Sequence, residues 1–193
     1  MSLPERYFHI SVEDYLAGEK TSPVRHEYVD GVVYAMAGGT VRHNQLTKNI
    51  GYRLEDHLAG GTCRAFIVDM KVRVSSRVYY YPDAVVTCEQ LADDALEITE
   101  PRLIVEVLSD STAATDRREK LREYRTVPTL HEYLIISQNE MRVELFRRQE
   151  KDIWQLLILT QPEDFLTLES VGLTVTLAEV YRNVQGLVPE SGG

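Results

Sequence analysis

A run of apolar residues interrupted by one carboxylate constrains this chain more than any other feature. The run Leu103 to Leu108 is typical of a buried strand, yet Glu106 stands in its middle. Moving a carboxylate out of water costs several kcal/mol unless a cation, a metal ion or hydrogen-bond donors meet it. Glu106 is therefore half of a structural ion pair, a residue at a sheet edge, or part of a functional site.

The first third of the chain predicts helices alternating with a hairpin. Apolar residues at four-residue spacing indicate an amphipathic helix, and Asp-Gly between two β-prone runs indicates a tight turn. The predicted elements are a short helix over 12–16 opening at Ser11, a hairpin of strands 25–29 and 32–36 around Asp30 and Gly31, and a helix with the stripe Leu46, Ile50, Leu54 and Leu58 closed by Gly60 and Gly61.

The rest of the chain is rich in short β-prone segments. We predict strands at 63–68, 71–74 and 78–87 that form a β-meander, followed by a loop over 88–101 and the Glu106 strand. A helix from Asp116 that Pro128 stops comes next, and then a strand at 131–137. The chain continues with antiparallel strands near 141–146, 153–159 and 166–175 and a last helix over 177–184. Together these elements predict one α/β domain over 1–188, with a single layer of mixed sheet flanked by helices and a loose tail at 189–193.

Composition narrows the class of protein. A net charge of −9 argues against a protein that coats nucleic acid, because sequence-independent affinity comes from Lys and Arg. Residues 117–125 nevertheless carry five bases against two acids, which indicates either a local binding surface or an ordinary solvated helix face. We see no apolar run that could span a membrane and no secretion signal, so we expect a cytosolic protein.

Two other features are ambiguous when taken alone. Cys63 and Cys88 form no C-x-x-C pair, so we expect neither a zinc site nor a disulfide, and we interpret both as buried apolar residues. Asp83 follows Pro82, and a proline cannot donate to a sheet ladder. The Pro-Asp pair therefore indicates a turn, a strand edge or a bulge unless other residues give Asp83 a task.

Taken together, several motifs resemble the PD-(D/E)xK nuclease superfamily, which has the restriction endonuclease-like fold. Within that superfamily the chain is most similar to the Uma family of endonucleases over most of its length. The residues that carry the likeness are Glu27 with Asp30-Gly31, His43 at the start of a helix, Pro82-Asp83, the run Leu103 to Ser109 around Glu106, the helix segment Asp116 to Lys120 with Tyr124, and Glu132 to Ile135.

The resemblance implies a metal-dependent DNA endonuclease, a homodimer if both strands are cut symmetrically. Asp83, Glu106 and the Val107 carbonyl would hold Mg²⁺, with Mn²⁺ as a substitute, because hard cations prefer oxygen ligands. The resemblance also implies a restriction endonuclease-like core, to which the strands predicted from 141 onward add an antiparallel β extension toward the C-terminus. The metal would activate a water for attack on a phosphodiester.

One departure from the superfamily pattern concerns the lysine. Side chains alternate along a strand, so Leu108 stands on the same face as Glu106, where the pattern has Lys. Lys120 on the next helix is the natural substitute, because its flexible stem can bring the charge to the same point. Lys120 could instead be one exposed base among five, and the chain would then be an inactive nuclease-fold protein that binds nucleic acid. In a third, purely structural alternative, Glu106 and Lys120 form a buried ion pair.

Three further residues have two interpretations each. Glu27 could supply a third carboxylate or pair structurally with Arg25 or Lys120. His43 lies beside the apolar stripe of its helix, which favours packing, and its place in an active site follows from the resemblance. Tyr124 lies one helical turn after Lys120 and either braces it, touches substrate, or is simply half-buried beside its neighbours.

Overall fold

The computed structural model describes residues 9–36, 38–108, 116–150 and 153–187 of the 193-residue chain. Its helices are α1 (Val12–Glu19), α2 (Val41–Leu58), α3 (Leu121–Tyr124) and α4 (Leu177–Val180), and a π-helical turn over Asp116–Lys120 leads directly into α3. The strands are β1 (His26–Val29), β2 (Val32–Ala35), β3 (Arg64–Ile67), β4 (Lys71–Ser75), β5 (Val78–Tyr80), β6 (Ala84–Thr87), β7 (Glu97–Ile98), β8 (Pro101–Leu108), β9 (Glu132–Ser137), β10 (Val143–Arg148), β11 (Trp154–Leu159), β12 (Phe165–Leu168) and β13 (Leu173–Thr176).

A six-stranded mixed sheet forms the centre of the molecule. Its strand order is β11-β10-β9-β8-β6-β3, with β8 and β9 parallel and the other neighbours antiparallel. The connection from β8 to β9 contains the π-helical turn and α3, as a parallel pair requires a long crossover. This mixed sheet flanked by helices confirms the predicted α/β class, and the hairpin β12-β13 supplies the antiparallel extension near the C-terminus.

A second sheet of five strands lies beside the first, in the order β2-β1-β5-β4-β7. The predicted single layer and the predicted β-meander are therefore wrong. Strand β3 pairs with β6 while β4 pairs with β5, and the segment 81–83 carries the chain from one sheet to the other. Pro82 explains the break, because a residue without an N–H cannot continue the ladder of a central strand.

Helix α2 covers one face of the six-stranded sheet. Its leucine stripe supplies Leu46, Ile50 and Leu54, which are fully buried in a core shared with β6, β8, β9, β10 and the C-terminal hairpin. Gly51 allows the helix to lie close to β3, since a Cβ there would approach the Ile67 side chain to 2.4 Å. The predicted stripe is thus confirmed, and it fixes the position of the first turn of α2 relative to the sheet.

The opposite face of the six-stranded sheet packs against α3 and the five-stranded sheet. Buried residues of this second core include Ile104 and Leu108 of β8, Tyr124 of α3 and Tyr133 of β9. Glu106 shares this face, because side chains alternate along β8. The carboxylate that stood out in the sequence therefore points into the layer between the sheets.

The structure also contradicts the prediction that Cys63 and Cys88 are separate buried residues. They form a disulfide with Cα atoms 3.9 Å apart, although 25 positions separate them in the sequence. Arg64 pairs with Thr87 across β3 and β6, so each cysteine lies one step beyond that pair and the two face each other. Cys63 and Cys88 belong to no metal-binding or redox motif, so their positions in the sequence do not indicate that they lie close together.

Most predicted element boundaries are confirmed to within a few residues. Helix α1 extends further than predicted, α4 is shorter, and Asp30 and Gly31 form the hairpin turn with φ of 50° and 94°. The predicted tail at 189–193 lies outside what the structure describes. Within the described ranges, no helix is long and apolar enough to cross a membrane.

Candidate active site

Asp83 and Glu106 meet because β6 and β8 run antiparallel. Ala84 lies opposite Val105, so Asp83 and Glu106 are the next residues along each strand. The Val107 N–H donates to Asp83 Oδ2 at 2.7 Å, which ties the first carboxylate to the strand that carries the second. Both side chains are buried, with residue exposures of 9% for Asp83 and 4% for Glu106.

Lys120 reaches this pair from the crossover between β8 and β9. It is the last residue of the π-helical turn, a geometry often found at functional sites, and it is 5% exposed. Its Nζ lies 3.0 Å from Glu106 Oε1 and 2.8 Å from Glu27 Oε1. Leu108, in contrast, is buried in the apolar core. The chain thus brings a lysine to Glu106 from a helix instead of from the strand.

Glu27 enters the same cluster from β1 of the five-stranded sheet. Besides its contact with Lys120, its Oε1 accepts a hydrogen bond from the Tyr81 N–H at 3.3 Å. Of the two partners considered from the sequence, Lys120 is the one that Glu27 contacts. One ammonium group therefore lies between two carboxylates that come from different sheets.

Two tyrosines surround the lysine and its partners. The Tyr124 hydroxyl donates to Glu106 Oε1 at 3.2 Å, and the Lys120 Nζ lies 5.2 Å from the centroid of the Tyr80 ring. Burial, followed by the Glu106 carboxylate, raises the pKa of Tyr124 well above its ordinary value. Burial also raises the pKa of Tyr80, with Glu27 adding to the effect. Both phenols therefore stay protonated at neutral pH, and Tyr124 stays a donor to Glu106.

His43 approaches Asp83 from the first turn of α2. Thr40 caps that helix by accepting a hydrogen bond from the His43 N–H at 3.1 Å. The half-buried ring lies with Nε2 3.2 Å from Asp83 Oδ1. The six side chains singled out in the sequence thus form two contact groups, one of His43 with Asp83 and one of Glu106 with Lys120, Glu27 and Tyr124. The Val107 N–H joins the two groups through β8, and His43 does more than pack beside the leucine stripe.

Sequence reasoning did not identify two other residues in this region. The sequence places Tyr80 only within a strand, whereas in the structure its ring centroid lies 5.2 Å from the Lys120 ammonium. Gln138, directly after β9, is 4% exposed and its Oε1 accepts a hydrogen bond from the Thr40 hydroxyl. No spacing in the sequence connects position 138 to position 40, so only the fold could reveal this contact.

The donor set of the site suits a hard divalent cation. Two carboxylates meet beside the main chain of Val107, and carboxylate and carbonyl oxygens are the ligands that Mg²⁺ accepts. Within the described ranges no three side chains of the types His, Cys, Asp and Glu form a metal cage. Mg²⁺ keeps several waters and is usually bound through one or two protein carboxylates, so Asp83 and Glu106 fit its requirements.

The turn before β4 braces the main chain of Asp83. The Val68 N–H donates to the Asp83 carbonyl at 3.0 Å, while Val68 and Asp69 have φ of 56° and 60°. A β-branched residue with positive φ is a true backbone outlier, because its Cβ crowds the carbonyl oxygen. The turn thus stores backbone strain next to one of the two carboxylates.

Replacing Val68 with glycine is expected to raise the free energy of unfolding by about 1 kcal/mol, since glycine adopts positive φ without a steric penalty. The side chain is exposed, so little packing is lost. Urea denaturation of both proteins measures the change. A matched Val24→Gly variant, at another exposed valine, should lack the gain. Equal or lower stability of the Val68→Gly variant would contradict the strain.

Stability at alkaline pH should depend on Tyr124. In the unfolded chain a tyrosine loses its proton near pH 10, whereas burial holds the proton of Tyr124 in the folded chain. The unfolded state therefore binds fewer protons above that pH, and stability falls as pH rises through about 10. The Tyr124→Phe variant should lose less stability than wild type between about pH 8 and pH 10.5 in urea denaturation. An equal slope in both proteins would contradict this assignment.

Comparisons with known proteins show which family the chain belongs to. The model of the Uma2 family, described as "Putative restriction endonuclease", matches residues 12–178. Uncharacterized protein slr1290 of Synechocystis sp. is 36% identical over 177 residues, covering 91% of this chain and 93% of that protein. Uncharacterized protein sll1609 of the same organism is 34% identical over 151 residues, covering 76% and 85%.

A solved structure supports the fold independently. It is described as a "putative nuclease belonging to DUF820" from Anabaena variabilis, and it superposes with a TM-score of 0.74. The match covers 89% of this chain and 97% of the other chain, at 15% sequence identity. At that identity the likeness shows a shared fold, while the site residues of this chain have to be argued from their own geometry.

Proposed function

Since the chain belongs to the Uma2 family of restriction endonuclease-like proteins, we propose that it is a Mg²⁺-dependent endonuclease that hydrolyses phosphodiester bonds in DNA. The observation that carries the proposal is the Asp83, Glu106 and Lys120 cluster, in which two buried carboxylates and an ammonium group converge from β6, β8 and the crossover helix. Active sites are places where buried carboxylates and ammonium groups are brought together, because burial and neighbouring charges tune their chemistry.

Within the proposal, each residue of the cluster has one role. Asp83, Glu106 and the Val107 carbonyl would hold the cation, which activates a bound water and neutralises charge on the phosphate. Lys120 would hold the attacking water or a phosphate oxygen through its ammonium hydrogens. Glu27 keeps that ammonium in place from the second sheet, and the Tyr124 hydroxyl orients Glu106.

His43 has a positioning role in this proposal. Its Nε2 contacts Asp83 Oδ1, whereas the Val107 N–H holds Oδ2. With both carboxylate oxygens held, the plane of the Asp83 carboxylate is fixed before substrate arrives. Preorganised ligands cost less reorganisation in the reaction, so loss of His43 should reduce the rate less than loss of Asp83 itself.

A plasmid-nicking assay tests the proposed activity. Wild-type protein is incubated with supercoiled and single-stranded circular DNA in the presence of Mg²⁺, Mn²⁺ or chelator, and we expect cleavage only with a metal ion. The Asp83→Asn variant should be inactive. Asp30→Asn is the matched control, because Asp30 is an exposed turn residue paired with Arg77, and it should cleave normally. Cleavage that survives in Asp83→Asn, or is absent from wild type on every DNA, would contradict the proposal.

One observation favours a second candidate, an inactive nuclease-fold protein that binds nucleic acid or has a structural role. Lys120 is already held by two carboxylates, and an apolar Leu108 stands where the superfamily pattern has lysine. Such a protein would bind DNA without metal-dependent cleavage. The nicking assay combined with a gel-shift assay on the same samples separates the two candidates.

We also propose that the protein acts as a homodimer, since symmetric cutting of a duplex suits two-fold symmetry. Strand β11 is an edge of the six-stranded sheet and carries no charged residue or proline that would guard it. Its Leu156 and Ile158 are each 46% exposed. Light scattering should give twice the 22.1 kDa chain mass, and a monomer at micromolar concentration would contradict the dimer.

A further inference from the structure

A cavity lies outside the carboxylate cluster, at the end of the crossover helix α3. It has a volume of about 450 Å³ and is lined by Arg125, Thr126, Pro128, Arg148 and Trp154. Small-ligand sites in proteins have volumes of about 300–1,000 Å³, so the cavity has room for one nucleotide. Its lining does not include Asp83, Glu106 or Lys120.

The cavity combines positive charge with an aromatic ring. The guanidinium carbons of Arg148 and Arg125 lie 4.8 Å and 5.8 Å from the centroid of the Trp154 indole. Arg148 donates to the main-chain carbonyls of Leu130 and Val127 at 2.8 Å and 2.7 Å, which fixes its guanidinium. A fixed cation beside an aromatic face is the combination by which proteins hold single-stranded nucleic acid.

Arg125 differs from Arg148 in its hydrogen bonding. Its side chain makes no hydrogen bond or ion pair to any residue that the structure describes, and the residue is exposed. A guanidinium carries five N–H donors in a planar fork that matches the oxygens of a phosphate. Arg125 is therefore a cation with its donors available, placed at the mouth of a cavity whose wall is already positively charged.

The cavity and the carboxylate cluster lie on the same face of the six-stranded sheet. Arg148 pairs with Trp154, Phe146 pairs with Tyr133, and Ile135 pairs with Glu106, and these positions share one face. The rings of Tyr124 and Tyr133 lie 5.1 Å apart, and those of Tyr133 and Phe146 lie 6.2 Å apart. Arg125 is the C-cap of α3, five residues after Lys120, so the cavity lies within two helical turns of the cluster.

We propose that this cavity binds one nucleotide of an unpaired DNA strand, with its phosphate on Arg125 and its base against Trp154. The inference deepens the proposed endonuclease function and rests on it, because it takes the DNA strand that occupies the cavity to be the strand bound at the carboxylate cluster. An unpaired strand is required because a base in a duplex cannot present its face to a side chain. The substrate class is accordingly DNA with a single-stranded segment next to the cleavage point, not an uninterrupted duplex.

Trp154 makes the proposal directly measurable, because it is the only tryptophan in the chain. Its fluorescence is recorded while full-length protein is titrated, without metal, with a short oligothymidylate and separately with a blunt hairpin duplex of equal charge. We expect a saturable fluorescence change with the single strand only. The Arg125→Gln variant should bind the single strand about 5- to 10-fold more weakly. The Arg125 side chain makes no hydrogen bond to the described residues, and the main-chain bonds of Arg125 remain in the variant, so it should fold normally, which circular dichroism checks.

Arg122→Gln is the matched control. Arg122 is an exposed arginine of the same helix, but its guanidinium pairs with Glu123 and does not line the cavity. Its loss removes the same charge and should change affinity by less than about twofold. If both variants bound the single strand equally weakly, the lost affinity would come from net charge and not from the cavity, and the proposal would be overturned. Equal responses to single strand and duplex, or no fluorescence change with either, would overturn it as well.

The same titration with the Asp83→Ala plus Glu106→Ala double variant separates this inference from the proposed activity. Retained binding and fluorescence change in the double variant support an independent nucleotide site. A wild-type protein that binds the single strand at Trp154 but never cleaves contradicts the endonuclease function alone. A protein that cleaves normally after Arg125→Gln, with unchanged preference for single-stranded DNA, contradicts the nucleotide site alone.

Discussion

The Glu106→Gln variant is expected to lose metal-dependent cleavage by at least about 100-fold while it unfolds at nearly the wild-type urea concentration. The rate falls because a neutral amide is a poor ligand for a hard cation. Stability is kept because the amide oxygen can still accept from Lys120 and from the Tyr124 hydroxyl, and Glu27 still neutralises the ammonium.

This variant also separates function from structure. If Glu106 served chiefly as a structural ion-pair partner, its neutralisation would lower the free energy of unfolding sharply. We expect a change within about 1 kcal/mol, measured by urea denaturation without metal. The matched control is Glu144→Gln, a buried glutamate on β10 paired with Arg142 and away from the cluster, which should cleave normally. A loss above about 3 kcal/mol in Glu106→Gln with unchanged cleavage would contradict the assignment.

Replacing Lys120 with methionine is expected to have the larger effect on stability, a loss of about 3–5 kcal/mol in the free energy of unfolding. The substitution leaves two carboxylates, Glu27 and Glu106, facing each other without the cation that both contact. Removing one partner of a buried ion pair is costly because the remaining charge stays desolvated. Cleavage should be lost too, since the substitution removes the ammonium group that contacts Glu106.

A combined variant tests the cause of that instability. Lys120→Met together with Glu27→Gln and Glu106→Gln removes all three charges, and it should recover most of the lost stability because no buried charge remains unpaired. Cleavage should not return. Urea denaturation of the single and triple variants gives the comparison. A triple variant as unstable as Lys120→Met would show that the methionine side chain itself, through packing, causes the loss.

The local parts of the fold were predictable because each has a short-range cause. The Asp30-Gly31 turn, the leucine stripe of α2 and the stop of the crossover helix before Pro128 follow from backbone preferences and hydrophobic periodicity. The carboxylate inside the apolar run 103–108 carried the strongest information about the site. Its energetic cost is independent of topology, so the need for a partner could be inferred before the partner was located.

The long-range parts were not predictable from periodicity. Strands β5 and β6 are separated by only three residues, yet they lie in different sheets, so a β-meander looked reasonable from sequence. The Cys63–Cys88 disulfide depends on the pairing of β3 with β6 across 25 positions. Likewise, the contact of Thr40 with Gln138 joins residues far apart in the chain. Each of these features requires the strand order, which local preferences do not encode.

The most direct test of the proposed metal site is calorimetric titration of Mn²⁺ and Mg²⁺ into wild-type protein and into the Asp83→Ala plus Glu106→Ala double variant. Our account predicts saturable binding to the wild type and no binding to the folded double variant. Thermal denaturation with and without metal gives a second readout, since a bound ion stabilises only the protein that holds it. Equal binding to both proteins, or no binding to either, would contradict a metal-dependent site at Asp83 and Glu106.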